Sequence, residues 1–255
     1  MTTFLAPLGF ALVLWWAATG VIVYLDGLDR RTHRWTMLGA TVVGLAGLAT
    51  LAATRDVASS GAAYLAFAAT IAVWAWVEVA FLLGYVTGPR RAPCPPGASG
   101  WRRAWLAFGT IAHHEAALLA ALTSVVAIAW GAPNPTGAWT FAVLYALRQS
   151  AKLNLFFGVR NLSEAFLPPE LRYLATYFRR RRMNPLWPVS VSLTCAAVWP
   201  FAVGADGDAF AAASHGLVAA LLALGVVEHL LLVVPLSPER LWRWGLASHT
   251  QRAAP

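Results

Sequence analysis

Charge is scarce in this chain, and acidic charge is scarcest. Asp, Glu, Lys and Arg make up 12% of the 255 residues, with 11 acidic against 19 basic, while 59% of the residues are hydrophobic. A water-soluble domain of that composition cannot cover its own apolar surface, so a soluble enzyme or binding module is excluded and a polytopic membrane protein is indicated. Cysteine is nearly missing. Cys94 and Cys195 are the whole supply, which rules out a disulfide framework, and neither CxxC nor CxxCH occurs. The first ten residues, MTTFLAPLGF, contain no basic side chain, so the first apolar run lacks the n-region of a cleaved signal peptide and is expected to stay in the mature protein. There is no internal repeat and no low-complexity tail. The net charge of +8 would point to nucleic acid in a soluble chain, but in a membrane protein the position of each arginine matters more than their sum, and no nucleic-acid partner is expected.

What is abundant is long apolar sequence. Seven segments reach spanning length, near residues 5–25, 36–53, 62–86, 103–131, 136–160, 186–203 and 209–234, punctuated by prolines such as Pro89, Pro93, Pro133, Pro135, Pro168 and Pro169. Basic residues gather in alternate connections. Arg30, Arg31 and Arg34 follow the first span, Arg90, Arg91, Arg102 and Arg103 the third, Arg160, Arg172 and Arg179 to Arg182 the fifth, and Arg240, Arg243 and Arg252 the seventh; the other connections hold Arg55 with Asp56, Asp206 and Asp208. The positive-inside rule then puts the N-terminus in the periplasm and the C-terminus in the cytoplasm. The expected fold is all-α: a single transmembrane domain over residues 1–255, a bundle of seven transmembrane helices. Ala40, Gly44 and Gly47 on the second span are spaced for close helix contact, and Trp101, Trp105, Trp242 and Trp244 read as interfacial anchors.

Polar residues inside the spans are few, and each is costly there. The stretch Gly109 to Leu119, GTIAHHEAALL, sets His113, His114 and Glu115 in an apolar run. Glu78 on the third span, Arg148, Lys152 and Asn154 on the fifth, and Glu228 and His229 on the seventh fall at similar depth, roughly 8–17 Å from the cytoplasmic ends at 1.5 Å per residue. One interior cluster of Glu78, His113, His114, Glu115, Arg148, Lys152, Asn154, Glu228 and His229 is the economical packing. Three readings follow. The acids can neutralise Arg148 and Lys152 in a buried ion network that fixes helix register. Glu78, His114, Glu115, Glu228 and His229 can form a metal site, carboxylate-bridged iron for example, or the histidines can be axial ligands to a tetrapyrrole. The cluster can also line a path for protons or substrate. Against the metal, His114-Glu115 and Glu228-His229 are adjacent and so point about 100 degrees apart, unlike the i, i+3 Glu-x-x-His of helical bundles.

The connection over residues 161–184 has composition too ordered for an idle linker. Pro169 and Glu170 suit a first helical turn, and Leu171, Leu174 and Phe178 share a face with arginines elsewhere, which predicts an interfacial amphipathic helix, basic at its C-terminal end, on the cytoplasmic leaflet. Arg160, Glu164, Arg172, Arg179, Arg180, Arg181 and Arg182 are its candidate contacts with anionic lipid or a partner.

Here the sequence resembles a known family. KLNLFFGVRNLSEAFLP and ELRYLATYFRRRRMNPLWPVSV, with the HHE and EH pairs in apolar runs, are similar to the photosynthetic complex assembly protein 2 family of anoxygenic phototrophic bacteria, encoded beside the reaction-centre H subunit. The likeness extends over all seven spans. It departs at one place, since the family pattern has two acids before FLP and this chain has Glu164 followed by Ala165. The resemblance implies a multi-pass protein of the inner membrane, cytoplasmic or intracytoplasmic photosynthetic, that supports assembly of the reaction centre and light-harvesting complex or supplies bacteriochlorophyll to it, with reaction-centre or antenna subunits and pigment as partners. A metal-dependent membrane oxidoreductase using the Glu and His residues is the alternative.

Overall fold

The computed structural model describes the backbone of residues 2–253 and the side chains of residues 5–249. Arg252, counted above with the basic residues, has its side chain outside that range. Among the described residues the chain is 77% helix with no strand. Its long helices are α1 (Thr2–Asp26), α2 (His33–Thr54), α3 (Ser60–Leu82), α4 (Gly100–Ala129), α5 (Thr136–Phe157), α6 (Leu186–Gly204) and α7 (Ala209–Leu231), with a shorter α8 (Arg243–Ala253). By length and composition α1, α2, α3, α4, α6 and α7 can cross a membrane. The protein is therefore a multi-pass helical membrane protein. Helix α5 is as long, at 22 residues, but Arg148, Gln149, Lys152 and Asn154 lower its hydropathy.

Local chemistry sets the helix ends. Ser59 accepts a hydrogen bond from the Ala62 N–H at 3.2 Å and Asp208 from the Ala211 N–H at 2.8 Å, so each caps an otherwise orphan donor at the start of α3 or α7. Helix α3 stops where Gly84 turns to φ 80°, with the Gly84 N–H returning to Phe81 O and the Tyr85 N–H to Ala80 O.

Successive connections alternate between the two ends of the bundle. At one end Asn134 Nδ2 donates to Thr54 O at 3.2 Å and Ser60 Oγ to Ala209 O at 2.8 Å, tying together the connections after α2, α4 and α6. At the other, Arg30 pairs with Glu170 at 2.6 Å, Arg90 Nε donates to Tyr177 Oη at 2.9 Å, and Asn161 Nδ2 donates to Leu231 O at 2.7 Å. This second end carries nearly all of the arginines. Between them α3 and α7 are the most buried helices, with Phe67, Val73, Leu217 and Leu221 in the core. The small residues of α2 face α3. A Cβ on Gly44 would stand 2.8 Å from the Trp76 ring and one on Gly47 2.7 Å from Ala69 O, so the close contact expected from their spacing is made with α3.

Three details differ from the sequence reading. The helical stretch of the long connection is Pro169–Tyr177, in 3-10 geometry. Its apolar face, Leu171, Leu174 and Tyr177, is buried, and Leu171 and Leu174 cluster with Phe81 and Leu82 at the end of α3 and with Ile111 of α4. The RRRR run that follows is extended, and its backbone bonds to the end of α5 through Arg179 N–H to Leu155 O and Arg181 N–H to Val159 O. Trp242, read as an interfacial anchor, is 5% exposed and donates from Nε1 to Trp16 O at 2.9 Å. Helix α8, whose composition is too polar to register as an apolar run, packs on α1, where Gly245 lies against Gly20 O and His249 meets Asp26 at 2.6 Å.

Candidate functional site

Helices α3, α4, α5 and α7 do bring polar side chains to one layer of the bundle, and α1 adds a fifth wall. They surround a chamber of about 1210 Å³ whose lining is mostly apolar, somewhat larger than the roughly 300–1,000 Å³ of ordinary small-molecule sites. On its floor Arg148 Nη2 donates to Glu78 Oε2 at 3.1 Å. Beside it, Lys152 Nζ donates to Glu115 Oε1 and Gln149 Nε2 to Glu115 Oε2 at 2.8 Å. Lys152 is the only lysine in the chain. Elsewhere in the lining Trp15 Nε1 of α1 donates to Glu228 Oε1 of α7 at 2.7 Å. Glu78 and Glu115 are each 7% exposed. Carboxylates this deep are costly to bury without cationic or hydrogen-bonding partners, and these supply them.

The two buried histidines differ. His114 is fully buried, stacked on Phe81 with ring centroids 4.2 Å apart, and its Nε2 stands 3.8 Å from Glu78 Oε1. Among the described residues neither ring nitrogen of His114 has a hydrogen-bond partner, nor does Glu78 Oε1. The gap is too wide for a direct bond. His229 by contrast is satisfied on both sides. A carbonyl can only accept, so Nδ1 donates to Gly225 O at 2.8 Å, and Nε2 is left to accept from Ser150 Oγ at 2.8 Å. Its tautomer is fixed and its lone pair is in use.

The backbone around His114 is held from outside its helix. The His114 N–H donates to Thr87 O at 2.9 Å and Gly109 O accepts from the Arg90 N–H at 3.0 Å, both groups that an uninterrupted α4 would use for its own ladder. The Tyr85-to-Arg90 loop is laid directly on α4. A Cβ on Gly88 would stand 2.3 Å from Gly109 O, so only glycine permits the approach.

Not every expected member joins the cluster. His113 is exposed on the outer face of α4. Asn154 belongs to a separate network, donating to Ser190 Oγ and Ser150 O at 3.0 Å each and accepting from Asn184 Nδ2 at 3.0 Å. The five residues weighed as metal ligands part company in the same way, as Glu78 lies near His114, Glu115 is taken by Lys152 and Gln149, and Glu228 and His229 bond elsewhere. Among the described residues no three His, Cys, Asp or Glu side chains are grouped to hold a metal ion. The chamber also uses residues absent from the sequence-based set. Gln149 was legible as the polar neighbour of Arg148, whereas Trp15 sits among apolar residues with nothing to single it out. Arg103, read only as a topology marker, is 4% exposed; it closes the α5 C-terminus by donating to Phe156 O at 3.2 Å and to Tyr177 O, and lies over the Phe156 ring at 4.0 Å.

The basic connection is exposed along Arg160, Arg172, Arg180, Arg181 and Arg182, with Arg179 half-buried and Arg180 paired to Glu164 at 3.6 Å. Comparison with known proteins adds a lineage to this geometry. The model of a family described as "Protein of unknown function (DUF3623)" matches residues 1–253. The chain belongs to the DUF3623 family. It is 38% identical, over 246 residues, to a protein of Rhodobacter capsulatus described as an uncharacterized 30.4 kDa protein in the puhA 5' region; the match covers 92% of this chain and 88% of that relative. No solved structure matches the chain.

Proposed function

We propose that this DUF3623 protein is an integral inner-membrane factor that supports assembly of the bacterial photosynthetic reaction centre and light-harvesting complex, or supplies bacteriochlorophyll to it. The observation that carries the reading is the relative named for the puhA 5' region, a gene position that agrees with the neighbourhood implied by the assembly-family resemblance. In this reading all seven long helices cross the membrane, α5 included, because its charged side chains turn inward to Glu78 and Glu115. The arginine-rich end faces the cytoplasm and the N-terminus the periplasm. The chamber then opens in the half of the bilayer next to the compartment where soluble precursors are made. The exposed arginines around Arg160 and Arg180 to Arg182 meet anionic lipid or a reaction-centre or antenna subunit.

The test is a deletion strain examined by absorbance and by pigment chromatography side by side. Reaction-centre and antenna absorbance should fall or lose their normal ratio while bacteriochlorophyll is still formed. Accumulation of one discrete pigment precursor, with complexes otherwise assembling in proportion to pigment, would instead mark a step of pigment synthesis and overturn the assembly reading.

A further inference from the structure

The chamber is not closed on every side. Ala116 and Leu119 on α4, and Leu153 and Phe157 on α5, line it and are exposed. With α5 crossing the membrane as proposed above, these exposed residues meet lipid, and the gap between α4 and α5 is the route by which the bilayer reaches the chamber. Water-soluble molecules are not the natural traffic of such an opening.

The interior shows what it suits. Aromatic rings recur round the lining, among them Trp15, Trp74, Phe81, Tyr145, Phe156 and Phe166, surfaces on which a flat conjugated ring stacks well. The polar floor is unbalanced between donors and acceptors. Both oxygens of Glu115 are taken, and Glu78 Oε2 is held by Arg148 while its Oε1 turns toward His114. Arg148 lines the chamber, donates from Nη2 alone, and has a side chain 37% exposed; its buried Nε has no partner among the described residues. Lys152 likewise has one bond, to Glu115, and N–H groups to spare. What the floor offers a ligand is hydrogen-bond donation. Glu228 keeps one carboxylate oxygen free as an acceptor, but the Nε2 of His229 is occupied by Ser150, His114 is sealed behind Glu78 and Phe81, and among the described residues no three His, Cys, Asp or Glu side chains are grouped to hold a metal ion.

We propose that the chamber admits from the bilayer, through the α4–α5 opening, a lipid-soluble molecule with a flat conjugated head bearing carbonyl oxygens, and that Arg148 and Lys152 seat that head by hydrogen bonding. Two sources share this chemistry, a tetrapyrrole ester and an isoprenoid quinone. The inference deepens the function proposed above and rests on it only for including tetrapyrroles among the probes.

Purified protein, immobilised in detergent, is challenged with bacteriochlorophyll a, its metal-free bacteriopheophytin, ubiquinone-10 and the carbonyl-free β-carotene, and retention is measured by absorbance. At least one carbonyl-bearing probe should be retained well above β-carotene. Magnesium should make little difference to the tetrapyrroles. Ala116→Trp, an exposed rim position, should block the opening, and Arg148→Lys, which keeps Glu78 neutralised but loses the guanidinium fork, should weaken retention about tenfold, the loss of roughly one charge-assisted hydrogen bond. Retention of ubiquinone alone supports the chamber while removing pigment supply from the proposed function. Retention of β-carotene equal to the others, retention of the magnesium pigment without the metal-free one, no retention of any probe, or indifference to both substitutions would each overturn the proposal. Complex assembly in the deletion strain is a separate readout, so either idea can fail alone.

Discussion

Helix α5 carries two sets of polar side chains that differ in how fully they are satisfied. Toward α6 and α7, Asn154, Asn184, Ser190, Ser150 and His229 close on one another. Asn184 Nδ2 reaches Asn154 Oδ1 and Gly158 O at 3.0 Å each, and its Oδ1 takes the Leu186 N–H at 2.8 Å at the start of α6. Toward α3 and α4, Arg148, Gln149 and Lys152 meet Glu78 and Glu115 but leave donors over, and His114 has no partner among the described residues. The first set has nothing left to offer a ligand, and its cost of burial is offset within the protein, as expected of a network that fixes packing. The second borders a cavity with spare capacity. That contrast distinguishes a joint from a site, and substitutions can break it in order of size.

The largest effect should come from Arg148→Ala. It strands Glu78 as a buried carboxylate, and breaking buried pairs in this way costs roughly 3–5 kcal/mol, toward the lower end here because Arg148 is partly exposed. Thermal unfolding in detergent should show the loss, and the double variant Glu78→Gln with Arg148→Gln should recover most of it. Equal and additive losses would mean that the two residues are not coupled. Depth along the sequence does not say which acid Arg148 and Lys152 each meet. The structure assigns Lys152 to Glu115 and Arg148 to Glu78, one helical turn apart on the same face of α5.

A smaller loss, about 1–3 kcal/mol, is expected of Asn184→Ala, which leaves Asn154 and the Gly158 carbonyl short of a donor in a buried site. Retention of any probe by the chamber should be unchanged. If Asn184→Ala alters retention as strongly as Arg148→Lys, the division between joint and site is wrong.

How much of this was legible in the sequence follows from what sets each feature. Hydropathy runs and prolines marked α1 to α7 because a long, mostly apolar run between helix breakers dictates a helix. Depth counted along those runs marked Glu78, His114, Glu115, Arg148 and Lys152 as neighbours. Rotation about each helix axis was not legible, so His113 was grouped with His114 although 100 degrees of turn carries it to the outside, and Asn154 was grouped with Lys152 although it faces α6. Nor could a linear pattern show that the Tyr85-to-Arg90 loop bonds to the middle of α4, or that Leu171 and Leu174 find protein instead of lipid. The same i, i+3 spacing serves either surface.

The smallest structural effect should be at Arg180, and it can also test which way the bundle faces. Its side chain is 68% exposed and its ion pair with Glu164 is at the surface, where such pairs contribute little. The backbone beside it is what matters locally, through Arg179 O accepting from Val159 N–H and Arg181 N–H donating to Val159 O, and a substitution at position 180 leaves both bonds in place. Arg180→Cys should therefore change stability by less than about 0.5 kcal/mol. In a background with Cys94→Ser and Cys195→Ala, which removes the two natural thiols, the new cysteine is the sole target for a membrane-impermeant maleimide. It should label in inside-out vesicles and stay unlabelled in intact cells, while Asp206→Cys, exposed at the opposite end, should do the reverse. Labelling of both from one side would mean that α6 does not cross between them. Labelling of position 180 from the periplasm would invert the bundle and put the chamber in the outer half of the bilayer, away from the compartment that the proposed function requires.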